Sequence, residues 1–367
     1  MKDFNFRNDT KLFFRNDIRE VVAEETKGHK VMFVYGDGSV KRNGCHDDVV
    51  RTLNENGVPF VEFGNSSREF PKIQEGIRWA KANDVTMIIG AGGASVMDSA
   101  KLMAFGFFHE FDLWDYVKGK QPYGLKRLSL ALIPTYPSSG SENGLGAVSV
   151  DSRTGDFGTA YGIAADYAIL FPKYSLTLDK EMTAYTGLVT LVQLSACILG
   201  DRNRMSYDAG ISYIKNVLEA TKTLQKYPED LDARGIIMMG ASLSTSSRMG
   251  IGKEDSFAYD IYELEFLPEN LFGSSYRRSL TSVFPRFLKA MGVYHAEDIG
   301  KYYFDAFDFD SSIEESSRKL IDLFSSLGVD MYCDGEITRK QVDNIPCHTK
   351  LNGDEVFELM NALIRQK

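Results

Sequence analysis

Histidine is scarce in this sequence: five occur among 367 residues, and none lies between His109 and His295. Histidine is the commonest metal ligand, and its side chain gains or loses a proton most easily near neutral pH. The long gap therefore excludes a site built from several histidines in the middle of the chain. Beyond it only His295 and His348 remain, and we expect both at the surface.

Paired cysteines, long apolar runs and an excess of positive charge are also missing. The four cysteines lie far apart without CxxC spacing, which is typical of free thiols in a reducing cytoplasm. No run of about 18 apolar residues occurs, and the first residues do not resemble a signal peptide. The net charge of −9 argues against nucleic acid or an anionic membrane as a partner. These absences predict a cytoplasmic protein.

The first half of the sequence alternates between strand and helix patterns. Short apolar runs typical of buried strands are separated by stretches with helical spacing. The predicted strands are 30–35, 58–63, 85–89 and 128–133, and the predicted helices are 47–53, 73–81 and 95–105. Such alternation favours an α/β fold in which helices cover a parallel sheet.

The second half has helical periodicity and few strand-like runs. Segments 180–199, 207–224, 230–243 and 313–327 repeat their apolar residues with the period of a helix. A chain of this length is also long for a single core. We therefore predict an α/β domain of residues 1–176 and a helical domain of residues 177–367, with the boundary near Pro172.

Two glycine-rich turns each follow a predicted strand: GDGS at 36–39 and GAGGAS at 90–95. Glycines let the backbone approach an anion closely, and the start of a helix presents free N–H groups. Either turn alone could be a tight strand-to-helix connection. Two of them at strand ends favour a phosphate-binding crevice, although neither matches GxGxxG.

Four stretches together resemble the iron-containing (group III) alcohol dehydrogenase family. GAGGASVMDSAK at 90–101 is similar to the signature GGGSxxDxAK, and YGDGSVKRNG at 35–44 is similar to YGGGSxKKxG. PTYPSSGSEN at 134–143 is similar to PTxxxTGSE, and a Trp-Asp segment lies at 112–116. The stretches keep the family order and spacing, and the branch that they most resemble is the butanol-dehydrogenase-like aldehyde reductases.

The resemblance implies a Rossmann-like domain that binds NAD or NADP, followed by an all-helical domain, as in dehydroquinate synthases. The pyrophosphate would lie on Gly92, Gly93, Ala94 and Ser95, where Ala94 replaces a family glycine. Asp98 would lie near the nicotinamide, and Thr135 and Ser139 near the adenine. The other expected cofactor-binding residues are Gly36, Asp37, Gly38, Ser39, Ser138 and Leu178.

The preference between the two cofactors is open at this point. Asp37 stands where some family members carry an acidic residue that repels a 2′-phosphate, which favours NAD. Lys41 and Arg42 would attract that phosphate and favour NADP.

The family's helical domain supplies four metal ligands, one aspartate and three histidines. Thr190 stands at the aspartate position and Leu194 at the first histidine, four residues apart on one helix. The second histidine aligns with Asp260 or Tyr259, and the third with Tyr276. Threonine and leucine cannot replace a carboxylate and an imidazole around Fe²⁺ or Zn²⁺, so we predict that no metal binds.

Without a metal, another group has to stabilise the charge that develops on the substrate oxygen. The emptied positions offer Tyr276, Tyr259 and Asp260, with Arg277 and Arg278 adjacent. Our hypothesis is that Tyr276 or Tyr259 donates the proton and that Asp260 orients it or binds a polar substrate. The alternative is that these side chains only fill the space left by the ligands.

Two functions from different classes follow. The first is a metal-independent NAD(P)-dependent oxidoreductase that interconverts an aldehyde or ketone and an alcohol, supported by the retained cofactor turns. The second is a catalytically inactive dinucleotide-binding homologue with a structural or regulatory role, supported by the lost ligands and by Phe157, where relatives carry lysine. We favour the enzyme, and the resemblance implies a homodimer or larger homo-oligomer.

Overall fold

A parallel sheet organises the first half of the chain. The computed structural model describes residues 3, 5–122, 126–200, 203–246, 251 and 256–365. Their strands are β1 (Lys11–Phe14), β2 (Val31–Tyr35), β3 (Phe60–Phe63), β4 (Met87–Gly92), β5 (Ser129–Pro134), β6 (Ala147–Asp151), β7 (Asp156–Ala160) and β8 (Tyr167–Leu170). Six of them form one parallel sheet in the order β1-β8-β5-β4-β2-β3, and β6 and β7 form an antiparallel hairpin. The predicted α/β fold with a parallel sheet is confirmed.

Helices flank this sheet on both faces. They are α1 (Arg19–Glu25), α2 (Ser39–Arg42), α3 (Cys45–Glu55), α4 (Phe70–Ala82), α5 (Ala94–Gly106) and α6 (Leu113–Val117). Met32 and Val34 of β2 belong to one buried cluster, and Val31 and Phe33 belong to the cluster on the opposite face. Because both faces of the strand are covered, β2 reads as a continuous apolar run rather than an alternating one.

The predicted strands and helices of the first half are all present, but β1, β8 and the hairpin were not predicted. β1 and β8 have four residues each. The hairpin turns at 152–155, where Gly155 has a φ of 72° and its N–H donates to Asp151 O at 2.9 Å. That tight turn left a signal in the sequence, the glycine that follows Arg153 and Thr154.

The second half is helical, as predicted. Its helices are α7 (Lys180–Ile198), α8 (Arg204–Lys226), α9 (Leu231–Ser244), α10 (Ile261–Leu264), α11 (Phe266–Phe272), α12 (Tyr276–Met291), α13 (Ala296–Phe307), α14 (Ile313–Ser326), α15 (Arg339–Asp343) and α16 (Gly353–Asn361). Side-chain caps fix several starts: Asp179 accepts from the Met182 N–H at 2.7 Å, and Ser312 accepts from the Glu315 N–H. In the described part of the chain, no helix combines the length and apolar character needed to cross a bilayer.

The chain divides into two compact units. The sheet unit comprises Arg7–Leu178 and Ala241–Ser246, and the helical unit comprises Met1–Phe6, Asp179–Gly240 and Ser247–Lys367. The main segment of the sheet unit ends at Leu178, and residues 241–246, which were predicted to lie in the helical domain, also belong to this unit. Those residues join it through hydrogen bonds: Thr245 Oγ1 donates to Gly140 O at 2.6 Å, and Asn143 Nδ2 donates to Ser242 O at 3.0 Å.

Candidate functional site

Both glycine turns lie where the order of the strands reverses. From β2 the chain proceeds to β3 on one side, and then returns to β4 on the other side of β2. Gly36 directly follows β2, while Gly92 ends β4 and Gly93 precedes α5. Open parallel sheets bind ligands at this switch point, beyond the carboxyl ends of the strands. The topology therefore brings the two turns to the edge where a ligand is expected.

Packing explains why the GAGGAS turn carries several glycines. A Cβ atom on Gly90 would lie 2.7 Å from Ala100 Cβ, and one on Gly92 would lie 3.0 Å from Val96 Cβ. These two glycines let α5 pack closely on β4. Gly93 differs, because the nearest atom to a Cβ there is Tyr136 Cβ at an ordinary 3.6 Å. Packing thus leaves room at Gly93, beside the start of α5.

The start of α5 is suited to an anion. Gly93 precedes the helix without a side-chain cap, and no acidic residue lies in its first turn. The first N–H groups of a helix have no partner within the helix and carry the positive end of its dipole. Ala94 and Ser95 are only half-buried. Backbone N–H groups at this turn can therefore hold a pyrophosphate, as the sequence predicts.

Ser95 has an additional task that the sequence did not reveal. Its Oγ accepts from the Arg68 N–H at 3.0 Å, and a neighbouring pair, Ser66 Oγ and Ser99 Oγ, lies 2.7 Å apart. These two bonds fasten the loop after β3 to α5. Arg68 and Ser66 were missed because nothing in the family-like motifs points to that loop.

The first glycine turn presents Asp37 to solvent. Gly38 has a φ of 73°, a left-handed conformation that favours glycine, and α2 begins at Ser39. Asp37 and Ser39 are both exposed. Lys41, which the sequence offered as a phosphate ligand, instead extends over the ring of Tyr35, with Nζ 5.4 Å from the centroid.

The predicted adenine-side residues lie next to the GAGGAS turn along β5 and its following loop. The Thr135 N–H donates to Gly92 O at 2.9 Å, so β5 continues its pairing into the turn. Ser138 is buried, and Ser139 Oγ accepts from the Ser141 N–H at 3.2 Å. Leu178, the last residue of the sheet unit's main segment, is half-buried.

Asp98 is buried and holds the loop and hairpin that follow β5. One carboxylate oxygen accepts from Ser141 Oγ at 2.5 Å, and the other accepts from the Val148 N–H at 3.0 Å. Burial raises the pKa of this carboxyl, and the field of Lys101 opposes that shift. Asp98 thus connects α5 to the loop and hairpin that follow β5.

Lys101 and Glu142 complete a buried charged group with Asp98. Lys101 is fully buried, and its Nζ donates to Gly144 O at 2.9 Å and to Gly146 O at 2.8 Å. Burial lowers the pKa of Lys101 to about 8, although Asp98 and Glu142 favour its charged form. Glu142 accepts from Ser242 Oγ, and burial raises the pKa of its carboxyl. The charged group therefore links the GAGGASVMDSAK motif, the GSEN motif and the end of α9.

Replacing Lys101 by methionine should lower the free energy of unfolding by about 3 kcal/mol, because two buried carboxylates lose their cation. Urea denaturation followed by circular dichroism measures this change. Lys173→Met, at an exposed lysine of the same unit, is the matched control. A loss no larger than that of the control would show that the buried cation does not stabilise the motifs.

One face of α7 carries Thr190 and Leu194, the two positions predicted from the sequence to correspond to metal ligands of the family. Thr190 and Leu194 are fully buried, and Leu194 belongs to the core of the helical unit. A Cβ on Gly240 of α9 would lie 3.2 Å from Thr190 Cγ2 and 4.0 Å from Leu194 Cδ1. Thr190 Oγ1 is buried and has no hydrogen-bond partner among the described residues. Packing therefore fills the space beside this face, and the Thr190 hydroxyl is buried there without a hydrogen bond in the described part of the chain.

Gln193, on the same side of α7, reaches Tyr276. Its Nε2 donates to the Tyr276 hydroxyl at 3.2 Å, and Gln193 itself is buried. Tyr276 is half-buried and is the first residue of α12. Gln193 was missed in the sequence because the family comparison draws attention to its neighbour, Leu194.

A second tyrosine lies close to Tyr276. Burial raises the pKa of Tyr262 well above its ordinary value, and Cys197, Tyr276 and Tyr259 add to that shift. Tyr262 therefore stays neutral. Tyr259 is 41% exposed, and its ring stacks with that of Tyr262 at a centroid distance of 6.3 Å.

Asp260 and the two arginines have contacts other than those expected. The Asp260 carboxylate accepts from Thr349 Oγ1 at 3.0 Å and from the Lys350 N–H at 2.6 Å. It thus holds the segment before α16 rather than orienting a tyrosine. Arg278 donates to Asp330 at 2.6 Å, and the Arg277 guanidinium lies 5.6 Å from the centroid of the Tyr185 ring.

The residues at the family's ligand positions do not fit a divalent metal ion. Thr190 and Leu194 offer one neutral hydroxyl and no charge, and Asp260 is engaged by the chain before α16. Among the described residues, no three His, Cys, Asp or Glu side chains are placed to share an ion. His295 stacks on Phe257 at a centroid distance of 4.2 Å, and His348 is exposed. Iron and zinc need several nitrogen, sulfur or carboxylate donors around one ion, and the described residues do not bring such a group together.

Comparisons with known proteins agree with the fold. The family model described as iron-containing alcohol dehydrogenase matches residues 9–176. The NADH-dependent butanol dehydrogenase A of Clostridium acetobutylicum is 29% identical over 69% of this chain and 67% of its own length. An NADPH-dependent aldehyde reductase of Escherichia coli is 25% identical over 78% of this chain and 75% of its own length.

Similarity to a solved structure extends over the whole length. The crystal structure of an NADH-dependent butanol dehydrogenase A from Thermotoga maritima superimposes with a TM-score of 0.90 and 24% identity. The match covers 100% of this chain and 99% of that chain. Both the sheet and the helices beyond residue 176 therefore have counterparts in one known fold.

Proposed function

We propose that the chain, whose residues 9–176 match the family model of iron-containing alcohol dehydrogenases, belongs to this family and interconverts an aldehyde or ketone and an alcohol with NADH and without a bound metal ion. The observation that carries the proposal is the uncapped start of α5 after Gly93, at the switch point of the sheet. The sheet unit retains what a dinucleotide needs, while the helical unit has replaced the metal ligands. We further propose that the protein acts in the cytoplasm as a homo-oligomer.

The sheet unit binds the cofactor in this proposal. The N–H groups at the start of α5 hold the pyrophosphate, and Gly93 lets it approach the backbone. Bound NADH supplies the hydride. Lys101 is buried and holds the GAGGASVMDSAK motif, to which it belongs, against the chain at Gly144 and Gly146.

Tyr276 is the proton donor in this proposal. Carbonyl reduction places negative charge on the substrate oxygen, and a positioned hydroxyl can neutralise it by transferring its proton. Tyr276 fits this task better than Tyr262, since burial raises the pKa of Tyr262 well above its ordinary value and so makes its hydroxyl a weaker proton donor. Tyr259 is 41% exposed, so water would reach a substrate oxygen that reacts beside it.

Asp37 selects NADH over NADPH in this proposal. Its exposed carboxylate lies in the turn at the end of β2, and Lys41 is turned away over Tyr35. The relatives include both an NADH-dependent and an NADPH-dependent enzyme, so the likeness to them does not decide between the two cofactors.

Asp37→Ser should raise the ratio of kcat/KM with NADPH to kcat/KM with NADH about tenfold, because a carboxylate near the 2′-phosphate repels it. Steady-state kinetics with both cofactors measures the ratio. Asp47→Ser removes an exposed carboxylate from α3 and serves as the control. An unchanged ratio in Asp37→Ser would remove Asp37 from cofactor selection.

The experiment that tests the function is a search for turnover across aldehydes and ketones. NADH oxidation is followed at its absorbance band with aldehydes of increasing chain length. Turnover with any of them supports the enzyme. Cofactor binding without turnover across the panel would instead indicate the inactive dinucleotide-binding homologue.

A further inference from the structure

Gln193 has an unusual position for an uncharged polar residue. It lies in the middle of α7, where every residue from 183 to 198 is buried, and it is itself only 4% exposed. A buried amide needs hydrogen-bond partners, since an unsatisfied one costs about 1–3 kcal/mol. The Tyr276 hydroxyl is such a partner, at 3.2 Å from Nε2. The hydrogen bond to Tyr276 is therefore what makes a buried glutamine tolerable at this position, and it indicates a role beyond packing.

We propose that Gln193 is a positioning residue that fixes the Tyr276 hydroxyl with its proton directed at the substrate oxygen. This inference rests on the proposed function, in which Tyr276 donates the proton. The amide N–H of Gln193 can only donate, so the Tyr276 oxygen accepts in this bond. The tyrosine then uses its own O–H to donate a hydrogen bond to another group, which in this proposal is the substrate oxygen.

The same bond assists the reverse reaction. In alcohol oxidation the tyrosine has to accept a proton, which requires its phenolate form. A donor N–H stabilises a phenolate more strongly than a phenol. Gln193 therefore stabilises, by this hydrogen bond, the negative charge on the Tyr276 oxygen.

Several other titratable or charged groups lie near Tyr276 and are not themselves substituted in a Gln193 variant. Tyr262 couples electrostatically to Tyr276, Tyr259, Cys197 and Glu265. Arg277 and Arg278 follow Tyr276 on α12. Because these groups are common to the wild type and to each Gln193 variant, the comparison of their pH profiles isolates the replacement of Gln193.

The first variant removes the hydrogen-bond donor of Gln193 and keeps the size of the side chain. Gln193→Met keeps the length of the side chain and removes the donor. The rising limb of the pH profile for alcohol oxidation should move upward by about one pH unit, as expected for the loss of one hydrogen bond to a charged oxygen. A purely structural role would lower stability and leave this limb where it is.

Gln193→Glu reverses the direction of the bond. A carboxylate can only accept, so Tyr276 has to donate its proton to it rather than to the substrate. Aldehyde reduction should fall about 10²-fold near neutral pH and recover as the pH is lowered, when the carboxyl protonates and can donate again. Gln225→Met and Gln225→Glu, on α8, are the matched controls. Gln225 Nε2 donates to a backbone carbonyl, Lys180 O, at 3.2 Å and so makes a bond that involves no tyrosine.

The outcomes distinguish this inference from the proposed function. If Gln193→Met leaves the pH profile unchanged, or if folded Gln193→Glu retains wild-type reduction, Gln193 does not position Tyr276. If Gln193→Glu does not fold, the pH profile of Gln193→Met decides alone. Tyr276→Phe is measured in parallel: wild-type turnover in that variant would overturn the proton donor itself, while the loss of turnover leaves the test of Gln193 valid.

Discussion

Replacing Tyr276 by phenylalanine should lower kcat for aldehyde reduction about 10³-fold and leave the affinity for NADH unchanged, because the variant lacks the proton that neutralises the forming alkoxide. The ring is retained, so the packing of α12 against α7 is kept. The loss should appear equally in kcat and in kcat/KM, since the interaction is made in the transition state. Stopped-flow and steady-state measurements of NADH oxidation determine both constants.

The control for this prediction is Tyr227→Phe. Tyr227 is an exposed tyrosine that follows α8 in the same unit. It loses the same hydroxyl without touching Tyr276 or Gln193. Equal turnover in Tyr276→Phe and Tyr227→Phe would mean that the tyrosines only fill the space left by the family's ligands.

Placing a carboxylate at the start of α5 should abolish cofactor binding without unfolding the protein. Ala94 is the first residue of α5 and is half-buried. An aspartate there is favourable for the helix, because it lies at the positive end of the dipole. It would repel a pyrophosphate about 5 Å away by about 3 kcal/mol per phosphate charge at an effective dielectric constant of 20. We expect the Kd for NADH to rise about 10³-fold in Ala94→Asp.

Ala94→Asn separates charge from size in this experiment. Asparagine has nearly the same volume as aspartate, so a steric effect would appear in both variants. Isothermal titration calorimetry gives the Kd, and urea denaturation confirms that the fold is intact. NADH binding by Ala94→Asp with wild-type affinity would place the cofactor away from the GAGGAS turn.

The sequence was most informative where function depends on neighbouring residues. The GDGS turn was predicted correctly at the end of β2, because backbone freedom at Gly38 is a local requirement. The GAGGAS stretch was predicted correctly at the junction of a strand and a helix, but β4 continues through Gly92 instead of ending at residue 89. The sheet followed from apolar runs, and its parallel order followed from the helices between them.

The sequence was least informative where partners are distant along the chain. Gln193 and Tyr276 are separated by 83 residues, and Glu142 and Ser242 by 100. No local pattern announces such pairs. Lys101 and Glu142 could have been identified, since both stand inside the motifs that carry the family resemblance, but their burial becomes visible only in the folded chain.

Asp260 shows that residues close together in the sequence need not share a site. Its position near Tyr259 in the sequence suggested a shared site, yet its carboxylate binds the chain at Thr349 and Lys350. Proximity along the sequence does not fix which way a side chain turns.

The central claim is that turnover needs NADH but no metal ion. The most direct test is aldehyde-dependent NADH oxidation by protein dialysed against EDTA, with its iron and zinc content measured on the same sample. We predict full activity at a metal content far below one ion per chain, and no gain on adding Fe²⁺ or Zn²⁺. Activity that disappears with EDTA and returns with either ion would contradict the account.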